Sequence, residues 1–415
     1  YSETFMTTFL EELKQNTKTY NFLLLQMMAL PFSIAFGSDY GRPILPVMFL
    51  TWLFVVKKSD LSYIFQQKVV VVFMAFIAMH LLSLLWSEHA VNGAQTISRM
   101  IRYIFLPMII YASVVKESSV KYIISAFILG MFVNEIISYL IYFDLYETAF
   151  SKIHHWPVGF INHIPYSVLV AFTAILILFQ AKHMDNGFVR AVYVAFFMTM
   201  TANLVISSGR TGYAAYFGSL IILLFSYYTL TIKNLLQVLI FPIAVFALAY
   251  SLDAGVQARV KASVTAVEQI NTAKNYDTSA GARIAFYSIA QDILDQPEKS
   301  MIYGAGTGGI KTLLNESIER IGILNKPYDH LHNSNLTAYV QTGLIGLFLL
   351  LLFYYFFWRT PVKSDEALFI KQLLLLIVVI STFGDVILSI KETMLFFGIF
   401  AGLVIFDGRL RTDTT

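Results

Sequence analysis

Two histidines and three short polar residues stand together in Tyr328-Asp-His-Leu-His-Asn-Ser-Asn-Leu336, and this polar run passes without a break into an apolar helix. His332 sits at that junction, where a long water-exposed loop enters the membrane. Imidazole is the side chain best suited to take up a proton near neutral pH. Asn333, Ser334 and Asn335 are natural N-cap residues for the helix that follows. The partial positive charge of a helix N-terminus disfavours an imidazolium and so favours the neutral form a general base needs. The position equally suits a histidine that only caps the helix or lies at the membrane interface.

The arginines suggest what such a base would work beside. Arg210 lies in Ser-Ser-Gly-Arg-Thr-Gly-Tyr. Two glycines there predict a tight turn whose free amides and guanidinium could converge on a phosphate. An interfacial arginine that merely snorkels toward water needs no glycine on either side. Arg283, in Ser-Ala-Gly-Ala-Arg-Ile, is expected in the first turn of a helix. A cation there opposes the helix dipole by ~0.3–1 kcal/mol, which fits a held anion or a solvated surface arginine. Arg99 and Arg102 share a helix face at the start of an apolar span, and suit a lipid diphosphate or ordinary anionic headgroups. His163, Glu135 and Asp385 lie at or near span ends on the same expected face.

Two patterns carry less. Gly304-Ala-Gly-Thr-Gly-Gly309 satisfies G-x-G-x-x-G, but no strand precedes it, so a dinucleotide fold is rejected. The turn is expected to start a helix, with amides that could touch a phosphate. His330-x-His332 and His154-His155 lack a third metal ligand at a recognisable spacing, so no metal is expected. His80 and Glu135 read as satisfied buried polar groups.

The elements that must position these residues follow from composition. The 415 residues are 57% hydrophobic and 13% charged, with mean hydropathy +0.66. That describes an all-α polytopic membrane protein and excludes an ordinary soluble domain or a nucleic-acid reader. With no cysteine, thiol chemistry is excluded. Residues 1–20 read as polar and amphipathic rather than as a signal peptide, and the Tyr1 start suggests a trimmed terminus. About 12 transmembrane helices are expected, near 21–37, 41–56, 68–87, 100–115, 120–143, 161–180, 189–206, 212–230, 235–252, 335–358, 371–390 and 394–406. Lysines and arginines such as Lys57, Lys58, Lys116, Lys182, Arg359 and Lys363 crowd one set of short loops, which places both termini inside. The chain then divides into 1–252 (spans 1–9), a large helical periplasmic loop at 253–334, and 335–415 (spans 10–12 and a cytoplasmic tail). Within the loop, helices are expected at 256–270, at 280–294 with Ile284, Tyr287, Ala290 and Leu294 on one face, and over Ile310–Ile321. A loop of this length is usually functional.

His332-Asn333, nine residues, then Gly343-Leu-Ile-Gly346-Leu347 resembles the motif of the O-antigen ligase and polymerase superfamily. The span pattern, the loop before the tenth span and Ser-Gly-Arg-Thr-Gly extend the resemblance over most of the chain. His332 looks like the essential histidine of that family, and Arg210 and Arg283 like its two essential arginines. The resemblance implies a metal-independent glycosyltransferase without cofactor. Its donor would be undecaprenyl-diphosphate-linked O-antigen and its acceptor a sugar hydroxyl of lipid A–core. It would work at the periplasmic face of a Gram-negative inner membrane, among membrane lipids, by direct inverting displacement. His332 would be the base and Arg210 with Arg283 would hold the diphosphate; Arg99, Arg102, His163 and Asn333 would lend support. An O-antigen polymerase shares motif and donor, and the helix-rich loop favours the ligase. A protein-directed oligosaccharyltransferase is disfavoured because no soluble domain is seen after the last span. A flippase would place its site near the midplane, whereas these residues gather at one face. The shared site requires Arg210, Arg283 and His332 to come within contact range.

Overall fold

Every regular element among the described residues is a helix. The computed structural model describes residues 8, 11, 13–14, 16–148, 151–152, 156–207, 209–227, 240, 243–248, 250–251 and 254–412. In chain order come α1 (Lys18–Ile34), α2 (Ser38–Gly41), α3 (Ile44–Leu53), α4 (Lys58–Gln66) and α5 (Lys68–Leu82). Next is α6 (Ala90–Val114), which passes through a π-helical turn at Ile101–Phe105. Then follow α7 (Glu117–Tyr142), α8 (His163–Lys182), α9 (Gly187–Ile206) and α10 (Arg210–Tyr227). Three helices, α11 (Ala254–Ala273), α12 (Ser279–Leu294) and α13 (Ile310–Ile321), precede the last three, α14 (Ser334–Arg359), α15 (Asp365–Gly384) and α16 (Lys391–Thr412).

Eight described helices are long and apolar enough to cross a membrane: α5, continued by a 3-10 turn to Leu85, α6 to α9, and α14 to α16. They fall on eight of the twelve expected spans. Of the other four, 21–37 is α1, only 17 residues long with Pro31 inside. The stretch 41–56 is divided, with α3 only 10 residues long. The described part of 212–230 falls on α10, and half of 235–252 lies outside the described residues, as do His154 and His155.

Among the span boundaries that differ from expectation, two move a candidate charged residue. α6 starts at Ala90, so Arg99 and Arg102 lie along the helix rather than opening it. α15 starts at Asp365 because the Ser364 side chain accepts from Ala367 N at 3.1 Å, a strong N-cap. Its last residue is therefore Gly384, and Asp385 lies just past the span instead of within it.

α8 is apolar on all sides, as a helix must be to sit in the middle of a bundle. Its residues from Tyr166 to Ile177 are almost wholly buried. Around it, Phe127 of α7, Phe172 of α8 and Phe396 and Phe400 of α16 form ring pairs with centroids 4.7–6.1 Å apart. Such pairs contribute ~0.5–1.5 kcal/mol each beyond area burial. Between helices in lipid, close packing of this kind replaces water exclusion as the cohesive force.

A second, smaller core joins α12, α13 and the start of α14 through Phe286, Ile289, Ile293, Leu314, Ile318 and Val340. α13 buries the face read from its spacing. α12 does so only in part: Ala290 and Leu294 are buried as expected, but Ile284 and Tyr287 are exposed, and the buried stripe also runs through Ala282, Ala285, Phe286, Ile289 and Ile293. The sequence reading favoured Ile284 and Tyr287 over the small alanines that let α12 approach its neighbours.

The segment 300–307 ties this core to the bundle. α14 is interrupted at Gly343 (φ 66, ψ −162). The backbone groups freed by the break are met by an inserted strip of chain. Leu344 N donates to Met301 O at 2.8 Å, Ala305 N to Val340 O at 2.8 Å, and Gly306 N to Gln341 O at 3.0 Å. A membrane-depth helix tolerates such a break only where protein supplies the partners. Thr307 completes the dock, its hydroxyl 2.7 Å from His80 Nδ1 and 2.6 Å from Ser83 Oγ. The amides of residues 304 to 307 are thus all engaged. They hold the fold rather than a phosphate, and His80 is partnered at Nδ1, though its buried Nε2 has no hydrogen-bond partner among the described residues.

Candidate functional site

Asn333 is the N-cap of α14. Its side chain accepts from Asn335 N at 2.9 Å and Leu336 N at 3.0 Å, and its amide donates to Tyr287 OH at 3.1 Å. The cap turns the preceding residue sharply. His332 has φ +46, in the left-handed region, which costs a residue with a Cβ on the order of 1–3 kcal/mol. The strain is met by packing: the imidazole stacks on Phe286 at 5.9 Å and 15°, with Tyr328 edge-on at 6.4 Å. The ring is thereby aimed at the end of α15, where Nδ1 lies 3.1 Å from Asp385 Oδ2.

Asp385 is fully buried, and its second oxygen accepts from Val386 N at 2.7 Å. Burial pushes its carboxyl up, but the hydrogen bond and charge of His332 outweigh this and hold it below the usual carboxylate range. An ionised Asp385 accepts from Nδ1–H, which leaves the Nε2 lone pair of His332 able to take a proton. Further bonds lock the two helix ends together: Ser334 Oγ donates to Asp385 O at 3.2 Å, and Asn335 Nδ2 to Thr382 Oγ1 at 3.0 Å.

Arg283 docks beside this pair. Its Nε donates to Gly384 O at 3.1 Å, and Nη1 to Ser279 O at 2.7 Å. It lies in the second turn of α12 and returns to the first, so the expected dipole conflict is relieved by its own helix. Burial lowers its pKa; Asp385 opposes that, and the charge of Arg210 adds to it. Arg210, exposed at the start of α10, is thus close enough for its field to act on Arg283. Two guanidinia within each other's field, with the single Asp385 carboxylate beside His332 and Arg283, leave cationic charge that an anion would relieve.

The glycines around Arg210 have a packing role. A Cβ at Gly209 or Gly212 would fall 2.1 or 2.4 Å from atoms of Ser167. They let α10 press against α8, and neither has positive φ. The chain turns from α9 to α10 between Ile206 and Arg210, and the glycines add a close helix crossing that fixes where Arg210 emerges.

The remaining candidates separate. His163 is the first residue of α8, packed on Trp156 at 3.9 Å. The neighbouring Asn162, Ile164 and Pro165 line a cavity of about 680 Å³ that also reaches His330 and Asp385. Arg99 is exposed, and Arg102 turns back on Ser98 O at 3.3 Å and over Tyr103. No contact found among the described residues joins either arginine to the His332 cluster.

His330 was passed over in the sequence except as half of a weak metal pattern. Its ring lies 4.1 Å from that of His332. Burial lowers its pKa first, and the charge of His332 lowers it further. Ligand atoms of His330, His332 and Asp385 lie within 4.8 Å of one another, so the third ligand missing from local spacing exists in space, 53 residues on from His332. His332 Nδ1 already bonds Asp385 Oδ2, and His330 Nδ1 accepts from the backbone N of His332; three ligands would make an open site rather than a closed structural one. Asp385 was visible as a charge near a span end; its partner was not, because the pairing is set by how α14 and α15 meet.

Helices of this length and apolarity define a multi-pass helical membrane protein. Residues 194–351 match the family model described as O-antigen ligase. The matched stretch runs from α9 through Arg210, Arg283 and His332 into α14, and supports placing the chain in the O-antigen ligase superfamily. A search of curated proteins finds no match.

Proposed function

We propose that this chain is an O-antigen ligase. It transfers a glycan from undecaprenyl diphosphate to a sugar hydroxyl of lipid A–core, at the periplasmic face of a Gram-negative inner membrane. The observation that carries the reading is the His332–Asp385 pair beside Arg283, with His332 and Arg283 inside the region matched by the family model. His332 Nε2 takes the proton of the acceptor hydroxyl as its oxygen attacks the anomeric carbon. The bond from that carbon to the diphosphate oxygen breaks, and configuration inverts. Arg283 and Arg210 stabilise the charge that develops on the departing diphosphate, electrostatic work that metal-dependent enzymes give to a cation. Asn333 and Asp385 orient the base.

The domain reading is part of the proposal: residues 253–334 form the periplasmic cap, between membrane segments at 1–252 and 335–415. Polymerase activity is the second reading, since the matched family and the donor would be the same. The test is a lipopolysaccharide gel with a lipid-linked-glycan extract, from a null strain complemented with wild type or His332→Ala. Bare core beside accumulating lipid-linked polymer in the variant is the expected result. Core capped by a single repeat assigns the polymerase, and a normal ladder from His332→Ala overturns the general-base role.

A further inference from the structure

Asp385 has a second side. It lines the cavity of about 680 Å³, which neither His332, Arg210 nor Arg283 lines. The volume lies in the range of small-ligand sites. Four of its lining residues are carboxylates, Asp39, Glu147, Asp385 and Glu392, and four are aromatic, Phe36, Tyr40, Tyr146 and Phe160. No lysine or arginine lines it. The nearest lysines pair with the carboxylates from outside, Lys391 with Asp39 at 3.7 Å and Lys152 with Glu147 at 3.2 Å. Glu392 accepts from Ser38 N at 2.9 Å, which fixes the short α2 at the cavity wall.

Asp385 thus belongs both to the His332 cluster and, with His330, to the wall of this carboxylate-lined cavity. On one side are the guanidinia and imidazole, suited to a diphosphate. On the other, carboxylates repel phosphate but accept hydrogen bonds from hydroxyls, and aromatic rings offer faces to C–H surfaces. Tyr40 and Tyr146 are 62% and 45% exposed at this wall, so their rings are open to a ligand.

We propose that this cavity is a carbohydrate subsite that holds an unphosphorylated, hydroxyl-rich sugar unit next to the His332–Asp385 pair. The inference rests on the glycosyl-transfer reading. The sugar could come from two sources, the outer end of the acceptor core or the first residues of the donor glycan. The charge pattern selects the chemistry, and the experiment selects the source.

The test is binding by saturation-transfer NMR to the purified full chain in detergent. The probes are delipidated, dephosphorylated core oligosaccharide and released O-antigen repeat. One probe is expected to bind, at least five-fold more weakly to Tyr40→Ala and to Asp39→Lys, with thermal midpoints near that of wild type. His332→Ala is expected to bind within two-fold of wild type. Core binding assigns the acceptor, and repeat binding assigns the donor glycan. Binding of neither probe, binding indifferent to both variants, or tighter sugar binding by Asp39→Lys would overturn the subsite. A His332→Ala protein that binds the probe and still builds a normal ladder would instead overturn the catalytic reading.

Discussion

The His332 ring is held by three constraints: a left-handed backbone at its own Cα, the face of Phe286, and the Asp385 carboxylate. The first two set direction and the third sets the tautomer. Replacing Asp385 by Asn keeps the shape but allows the wrong tautomer, so transfer should fall by roughly 10²–10⁴, measured as the initial rate with purified protein. The same substitution has a stability signature. The Asp385 carboxyl is depressed in the fold, so its contribution is present above the ordinary aspartate range and is lost as pH falls through the depressed value. The wild-type thermal midpoint should therefore drop on acidification from about pH 7 to about pH 3 more steeply than that of Asp385→Asn. Equal slopes would mean that His332 does not hold the carboxylate ionised.

At the scale of elements, the break in α14 connects the cap to the bundle. Gly343 has φ 66, and a Cβ there would lie 2.2 Å from Ile302 O. Gly343→Ala should cost on the order of 1–3 kcal/mol through the strained backbone alone, and displace the 300–306 strip. A thermal midpoint within a degree of wild type would refute this. Asp292 ties α12 to α13, accepting from Ser317 Oγ at 2.6 Å and Arg320 Nη2 at 2.6 Å. Because the pair is partly exposed, Asp292→Asn should cost only about 0–1 kcal/mol. That difference should vanish as pH falls through the lowered Asp292 value. Periodicity made α12 and α13 legible in the sequence because their apolar positions repeat at helical spacing. The face of α12 was legible only at Ala290 and Leu294, since Ala282 and Ala285 are buried for closeness rather than hydrophobicity. The interruption of α14 was also hidden: an apolar run around one glycine reads as continuous helix until its hydrogen-bond partners are known.

Across the whole molecule, composition is enough to call the chain a helical membrane protein, and the eight membrane-length helices agree with it. Arg283 and His332 meet at the end of α15 through packing between distant segments, and α10 is pressed on α8 at Ser167 where Arg210 emerges. None of these meetings has a local pattern, which explains why three site residues could be named from motifs while Asp385 and His330 could not be assigned to them. The central claim is that this assembly catalyses glycosyl transfer. The most direct measurement is turnover by the detergent-purified chain, given polyprenyl-diphosphate-linked glycan and lipid A–core without ATP or nucleotide sugar. A glycan ladder on lipid A–core is predicted for wild type, with none detectable for His332→Ala and a loss of about 10²–10³ for Arg283→Lys. No transfer by a folded wild type, with movement of the intact lipid-linked glycan across reconstituted vesicles, would contradict the account and point to a transporter.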